Sequence, residues 1–216
     1  MPISPVDFAS LLCSRLCHDL LSPIGALNNG LELLADETDP AMRERCLELM
    51  NESARVSASK LKFFRLAFGA AGGFGERVDM REARTAIEGL FGETRRLTIE
   101  WAVEQGDMPK PATKVLLNLA MIAGDTLVRG GTLTIGAEET EGATEIVLHA
   151  AGDRVVLSAD LRDTLTSGAP DEAITPRVAG AYLVHALATG AGGMVRVGEA
   201  DDGLLFGATL PHGEGE

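Results

Sequence analysis

Apolar side chains recur at intervals of three and four through the first 70 residues. Ala9, Cys13, Leu16, Leu20, Pro23, Leu27, Leu31 and Leu34 fall within about 80° of arc at about 100° per residue, one seam on one helix. Ser4 followed by Pro5 supplies an N-cap and first turn, while Asp36-Glu37-Thr38-Asp39-Pro40 breaks the pattern and starts a second helix. That helix carries two adjacent seams, one through Leu47, Met50, Ala54, Leu61, Phe64 and Phe68, the other through Met42, Cys46, Leu49, Val56 and Phe63. Two helices of roughly 45 Å, at about 1.5 Å per residue, cannot enclose so wide an apolar face. Residues 1–70 therefore read as a helical hairpin that pairs with a second copy into a four-helix bundle. Leu16, Leu20, Leu27, Leu61 and Phe64 are expected in the dimer core.

Beyond the hairpin the pattern alternates between periods. Residues 79–93 read as a helix, 97–103 as a strand and 112–128 as a helix; Gly130-Gly131 then leads to a hairpin of Thr132–Ala137 and Thr144–Ala150. A strand is expected at Arg154–Ala159, a turn-rich stretch around Thr166–Pro170, a helix capped by Thr175-Pro176 running to about Ala188, and a terminal hairpin across Asp201-Asp202-Gly203. Helices with mostly antiparallel strands predict an α+β chain whose second unit, residues 79–216, is a two-layer α/β sandwich.

Composition sharpens the division. Only Gly25, Gly30 and Gly69 precede residue 70, and the other 22 glycines follow, starting in the Ala-Ala-Gly-Gly-Phe-Gly stretch at 70–75, so residues 71–78 read as a linker. The net charge of −13 is uneven: residues 1–70 carry 7 basic and 9 acidic groups, a net of −2, which leaves −11 for the rest. Such acidity would repel a phosphate backbone or an anionic membrane surface, and no apolar run approaches the roughly 18 residues of a membrane span. Nucleic acid and membrane are not expected partners, and the unleadered start suggests a cytoplasmic protein. Cys13 and Cys17 lie beside His18 at helical spacing, but an odd cysteine count without a CxxC reads as reduced thiols rather than a metal site or a disulfide framework.

His18 is the most informative position. With Leu16 at zero, the seam centres near about 20° and His18 falls near about 200°, so its imidazole faces away from the core. Leu11, Ser14, Leu21, Ser22, Gly25 and Asn29 share that face, with Arg15 at its flank. Leucines beside small polar residues suit a docking surface for another protein. Pro23, inside the same helix, removes a backbone donor and should bend it.

His18-Asp19-Leu20-Leu21-Ser22-Pro23 closely resembles the H-box of histidine kinases. The resemblance implies that His18 is the phosphoacceptor, that Asp19 fixes its tautomer or takes its proton, and that Arg15 steadies phosphoryl oxygens; on the residues alone, either charge could equally be solvated. In the second unit, Lys114 to Ala123 resembles the N-box helix of a GHKL-type ATPase domain, and Gly180 to Pro211 its last helix and hairpin. The departures matter more. Aligned on Asn118, the family's Mg²⁺-chelating asparagine falls at Ile122; Ala150-Ala151-Gly152-Asp153 stands for the adenine loop, and Ala179-Gly180-Ala181 for the phosphate loop. No cofactor or metal of the chain's own is expected, nor ATP binding.

An intact H-box hairpin joined to a degenerate GHKL-like unit is similar to the ChpT family of histidine phosphotransferases. That resemblance implies a homodimer that accepts a phosphoryl group on His18 from the receiver aspartate of a hybrid histidine kinase and passes it to response-regulator receivers of the CtrA and CpdR type in cell-cycle control, with Mg²⁺ brought by the receiver. Two other readings stay open on the sequence: a non-catalytic adaptor that docks receivers, and a diverged ATP-dependent histidine kinase.

Overall fold

The computed structural model describes residues 3–69, 76–92, 96–168 and 174–212. Helix α1, Pro5–Asp36, starts where the Ser4 hydroxyl accepts from the Asp7 amide at 3.1 Å, with Pro5 in the first turn. Its last carbonyls are taken up by Arg43, whose Nη1 donates to Leu34 O at 3.1 Å and Glu37 O at 2.7 Å. Asp39 then caps α2, Pro40–Ala67, by accepting from Ala41 N at 3.2 Å. The two helices form an antiparallel hairpin, close-packed where Gly30 meets Met50: a Cβ on Gly30 would lie 2.6 Å from Met50 Cγ.

The rest of the described chain is an α/β sandwich. Strand β1, Arg77–Asp79, pairs antiparallel with β3, Asp107–Pro109. Between them lie α3, Met80–Phe91, and β2, Leu97–Trp101. Helix α4, Lys110–Thr126, crosses over to β4, Gly131–Glu139, which runs parallel to β2; β5, Ala143–Ala151, returns antiparallel. After α5, Ala159–Ser167, and α6, Ala179–Gly190, the hairpin of β6, Met194–Ala200, and β7, Gly203–Pro211, completes a sheet in the order β2-β4-β5-β7-β6. Alternation sends Leu133 and Ile135 of β4, Ile146 and Leu148 of β5, and Phe206 and Ala208 of β7 to one buried face. The helices cover that face. Helix α4, apolar nearly all round, is buried along its length between the sheet and the other helices.

Several expectations are corrected here. Phe64, expected at a dimer interface, is 1% exposed inside the chain's own core, stacked on Phe68 at 5.2 Å and edge-on to Phe63 at 5.6 Å. Phe63, Phe64, Leu66 and Ala67 join one core with the sandwich, Leu16 packs against it, and Leu20 is also buried within one chain. Leu27 is half-buried and Leu61 stays exposed. The sandwich thus covers the end of α2, where both seams finish in Phe63 and Phe64, while Met42 and Leu49 of the second seam stay exposed. Residues 77 and 78, expected in a linker, and residue 79, expected to open a helix, form β1, while 70–75 lie outside the described residues. No strand occupies 154–159: Val155 makes a single bridge to Leu127, and Leu161 and Leu165, one turn apart, seat a short helix instead. Helix α6 starts at Ala179, after a turn closed by Val178 N to Thr175 O at 3.1 Å.

Candidate phosphotransfer site

His18 sits midway along α1 with its side chain 84% exposed, on the N-terminal side of Pro23 in the same helix. Asp19 is turned inward. Its Oδ1 lies 3.3 Å from His18 Nδ1, and its Oδ2 accepts from Arg15 Nε at 2.7 Å, the i, i+4 partner one turn back. An acceptor beside Nδ1 favours the tautomer with the proton there, which leaves the lone pair on Nε2 for attack on an electrophile in solvent.

Arg15, which the resemblance sets to steady phosphoryl oxygens, is engaged within the chain. Rather than facing the exposed ring, it directs its donors to Asp19, to Arg177 O at 3.4 Å and toward Asp125 Oδ2 at 3.8 Å. It therefore ties α1 to the end of α4 and to the segment before α6. Phe8, edge-on to Tyr182 with centroids 5.1 Å apart, fastens the same helix to α6. The face bearing His18 is held at a fixed angle to the sandwich.

Of the expected docking positions, Leu21 is 68% exposed and Ser14, Ser22 and Asn29 are exposed; Leu11 and Gly25 are half-buried. Gly25 leaves open space, with nothing within 4 Å of an added Cβ. One residue at this site had no signal in the sequence: Lys60 of α2, whose Nζ donates to Asp19 O at 2.8 Å. Only the register of the hairpin brings it there.

The sandwich opens a cavity of about 350 Å³ beside α1, lined by Arg15, Ile122, Asp125, Ser158, Arg177 and Gly180 among others. It lies where the GHKL resemblance places nucleotide. Ile122 brings a hydrocarbon where a hard cation needs oxygen. Asn118 is fully buried: its Nδ2 donates to Ala67 O at 3.3 Å and Lys114 O at 2.8 Å, stitching the end of α2 to α4, while its Oδ1 faces Gly180. Among the described residues no cluster of three or more His, Cys, Asp or Glu could hold a metal ion; Cys13 and Cys17 are exposed thiols and Cys46 a buried one. The other histidines are partnered structurally: His149 with Asp202 at 2.9 Å, His185 with Leu165 O at 3.1 Å, and His212 with Thr144 at 3.0 Å. No helix of the described chain is long and apolar enough to cross a membrane.

Known proteins similar to this chain are phosphotransferases. Residues 80–203 match the family model of the histidine phosphotransferase C-terminal domain. The protein phosphotransferase ChpT of Brucella abortus (strain 2308) is 32% identical over 95% of this chain and 97% of its own. A solved bacterial phosphotransferase superposes with a TM-score of 0.85 at 32% identity, over 96% of this chain and 98% of that one.

Proposed function

Because the chain belongs to the ChpT family of histidine phosphotransferases, we propose that His18 carries the phosphoryl group between receiver domains. The observation that supports this reading is an imidazole 84% exposed on α1, with an inward-turned carboxylate beside Nδ1 and an adjoining face of leucine and small residues. A receiver's aspartyl phosphate approaches that face; Nε2 attacks phosphorus in line, the P–O bond to the receiver breaks, and its carboxylate is regenerated. Nδ1 keeps its proton, and Asp19 balances the positive charge that the ring gains. The reverse displacement by a second receiver's aspartate returns the imidazole to its neutral state. Mg²⁺ enters with the receiver, since the described residues hold no group of three or more His, Cys, Asp or Glu that could bind it.

The finer assignment rests on the family. The donor is a hybrid histidine kinase's receiver, the acceptors are response-regulator receivers of the CtrA and CpdR type, and the relay is a cytoplasmic one in cell-cycle control. The protein works as a homodimer through the apolar residues that the hairpin leaves uncovered, Ile24, Leu31, Leu47 and Leu61 among them. ATP takes no part, as Ile122 and the inward-turned Asn118 leave no Mg²⁺-triphosphate cradle.

Incubation of the purified protein with a receiver phosphorylated on its aspartate separates the readings. Label should move to the wild type and be absent from His18→Ala. Tight binding with no transfer would instead establish an adaptor, and rapid self-labelling with ATP alone would establish a kinase.

A further inference from the structure

Pro23 lies four residues after Asp19, the position whose N–H would donate to the Asp19 carbonyl in an uninterrupted α-helix. Proline has no N–H to offer. The carbonyl that loses its partner belongs to the residue that orients His18, at the turn where a proline normally bends the helix. Lys60 supplies a donor there: its Nζ reaches across from α2 and donates to Asp19 O at 2.8 Å in a half-buried contact. The bond is charge-assisted, and so stronger than the amide bond it replaces.

We propose that Lys60 is a positioning residue for phosphotransfer, standing in for the backbone donor that Pro23 removes and so fixing the Asp19 peptide against α2. Two anchors then converge on Asp19. Arg15 holds the carboxylate from one turn back, and Lys60 holds the carbonyl from the other helix. The first sets where Oδ1 meets Nδ1 of His18; the second sets where the peptide carrying that side chain lies relative to the bend. Without the second, the carbonyl is left half-buried and short of a donor, and the turn can relax by twisting Asp19 away from the imidazole. Misplacement of an orienting group by an ångström or less is enough to slow a positioned reaction. Lys60 touches neither the ring nor, on this account, the phosphoryl group, so it acts through Asp19.

The proposal rests on His18 as the phosphoacceptor, and its test separates the two. Lys60→Met keeps the aliphatic stem and removes the donor, whereas Lys60→Arg keeps a donor. In transfer from a phosphorylated receiver, Lys60→Met should lower the rate at saturating receiver about tenfold and leave the receiver concentration at half-maximal rate unchanged. Lys60→Arg should stay within about threefold of wild type. The decisive variant is the double change Lys60→Met with Pro23→Ala, because alanine restores an N–H to the Asp19 carbonyl; it should recover most of the lost rate. A second readout needs no receiver: in NMR spectra of the full chain, Lys60→Met should shift the Asp19 carbonyl carbon and the His18 ring nitrogens, and the double variant should return them toward wild type. A Lys60→Met protein with wild-type rate and unmoved resonances overturns the proposal, as does a double variant no better than the single one. A wild type that takes no label would sink the phosphoacceptor reading, and the NMR comparison would still decide the role of Lys60.

Discussion

The two ring nitrogens of His18 have different surroundings, and that difference gives the site its chemistry. Nδ1 faces Asp19 at 3.3 Å, while the ring as a whole is open to solvent. Asp19→Asn keeps the size and an acceptor but removes the charge that balances the phosphorylated ring. Transfer to His18 should fall on the order of 10²-fold with little change in receiver binding, measured as single-turnover label transfer across receiver concentrations; a proportional loss of binding would mean that Asp19 serves docking instead. His18 was legible because helical geometry turned it outward, and Asp19 because the H-box resemblance singled it out beside the imidazole. Arg15 was legible as a neighbour but not in its direction: the carboxylate of Asp125 and the carbonyl of Arg177 come from distant segments and draw it inward. Lys60 was invisible, since nothing local to residue 60 announces a carbonyl deprived by a proline on another helix.

At the scale of elements, strong periodicity and capping signals placed α1, α2, α4 and the two antiparallel hairpins close to where they fold. Short elements were lost. Strands β1 and β3 have three residues each, too few to show alternation, and they hold together by pairing with each other. Helix α5 follows a Val-Val-Leu run that reads as strand, and only its seat on the core through Leu161 and Leu165 decides otherwise. The small sheet is tied to the large one by Arg77 of β1, which donates to Glu139 Oε2 of β4 at 2.6 Å and also bonds Asp107 of β3. Chiefly through the Arg77 hydrogen bond, with burial opposing it and the charges of Arg77 and His212 adding to it against Asp107, the Glu139 carboxyl is held below its ordinary value of 4.5. A carboxyl whose native pKa is lowered contributes stability above its unfolded pKa and loses it as pH falls through the native value. Arg77→Met should therefore melt below the wild type near neutral pH, and the gap should close as pH drops below about 4.5 in thermal scans across pH. A gap that stays constant with pH would assign the effect of Arg77 to packing.

For the whole molecule, the hairpin's apolar surface divides between two coverings. Both α2 seams end beneath the sandwich, at Phe63 and Phe64, and what remains open includes Leu31 at 54%, Leu47 at 48% and Leu61 at 49%, beside Ile24. The width of the apolar face was readable from the sequence, but its division was not, because the spacing does not say that the sandwich docks on the end of α2. The remaining stripe should be covered by a second copy. Sedimentation at micromolar concentration should give twice the chain mass, and Leu31→Glu combined with Leu61→Glu should halve it; a wild type of single-chain mass would remove the four-helix bundle from the account. The uneven charge fits this arrangement, with a near-neutral hairpin left for protein surfaces and the acidity carried by the second unit.

The central claim is that one nitrogen of one histidine carries the phosphoryl group. Phosphorus NMR of the protein after reaction with a phosphorylated receiver, with proteolytic mapping of the modified residue at alkaline pH, tests it directly. The account predicts a single acid-labile phosphoramidate on Nε2 of His18, absent from His18→Ala. A phosphoryl group on Nδ1, on another residue, or as an acyl phosphate on Asp19 would contradict it.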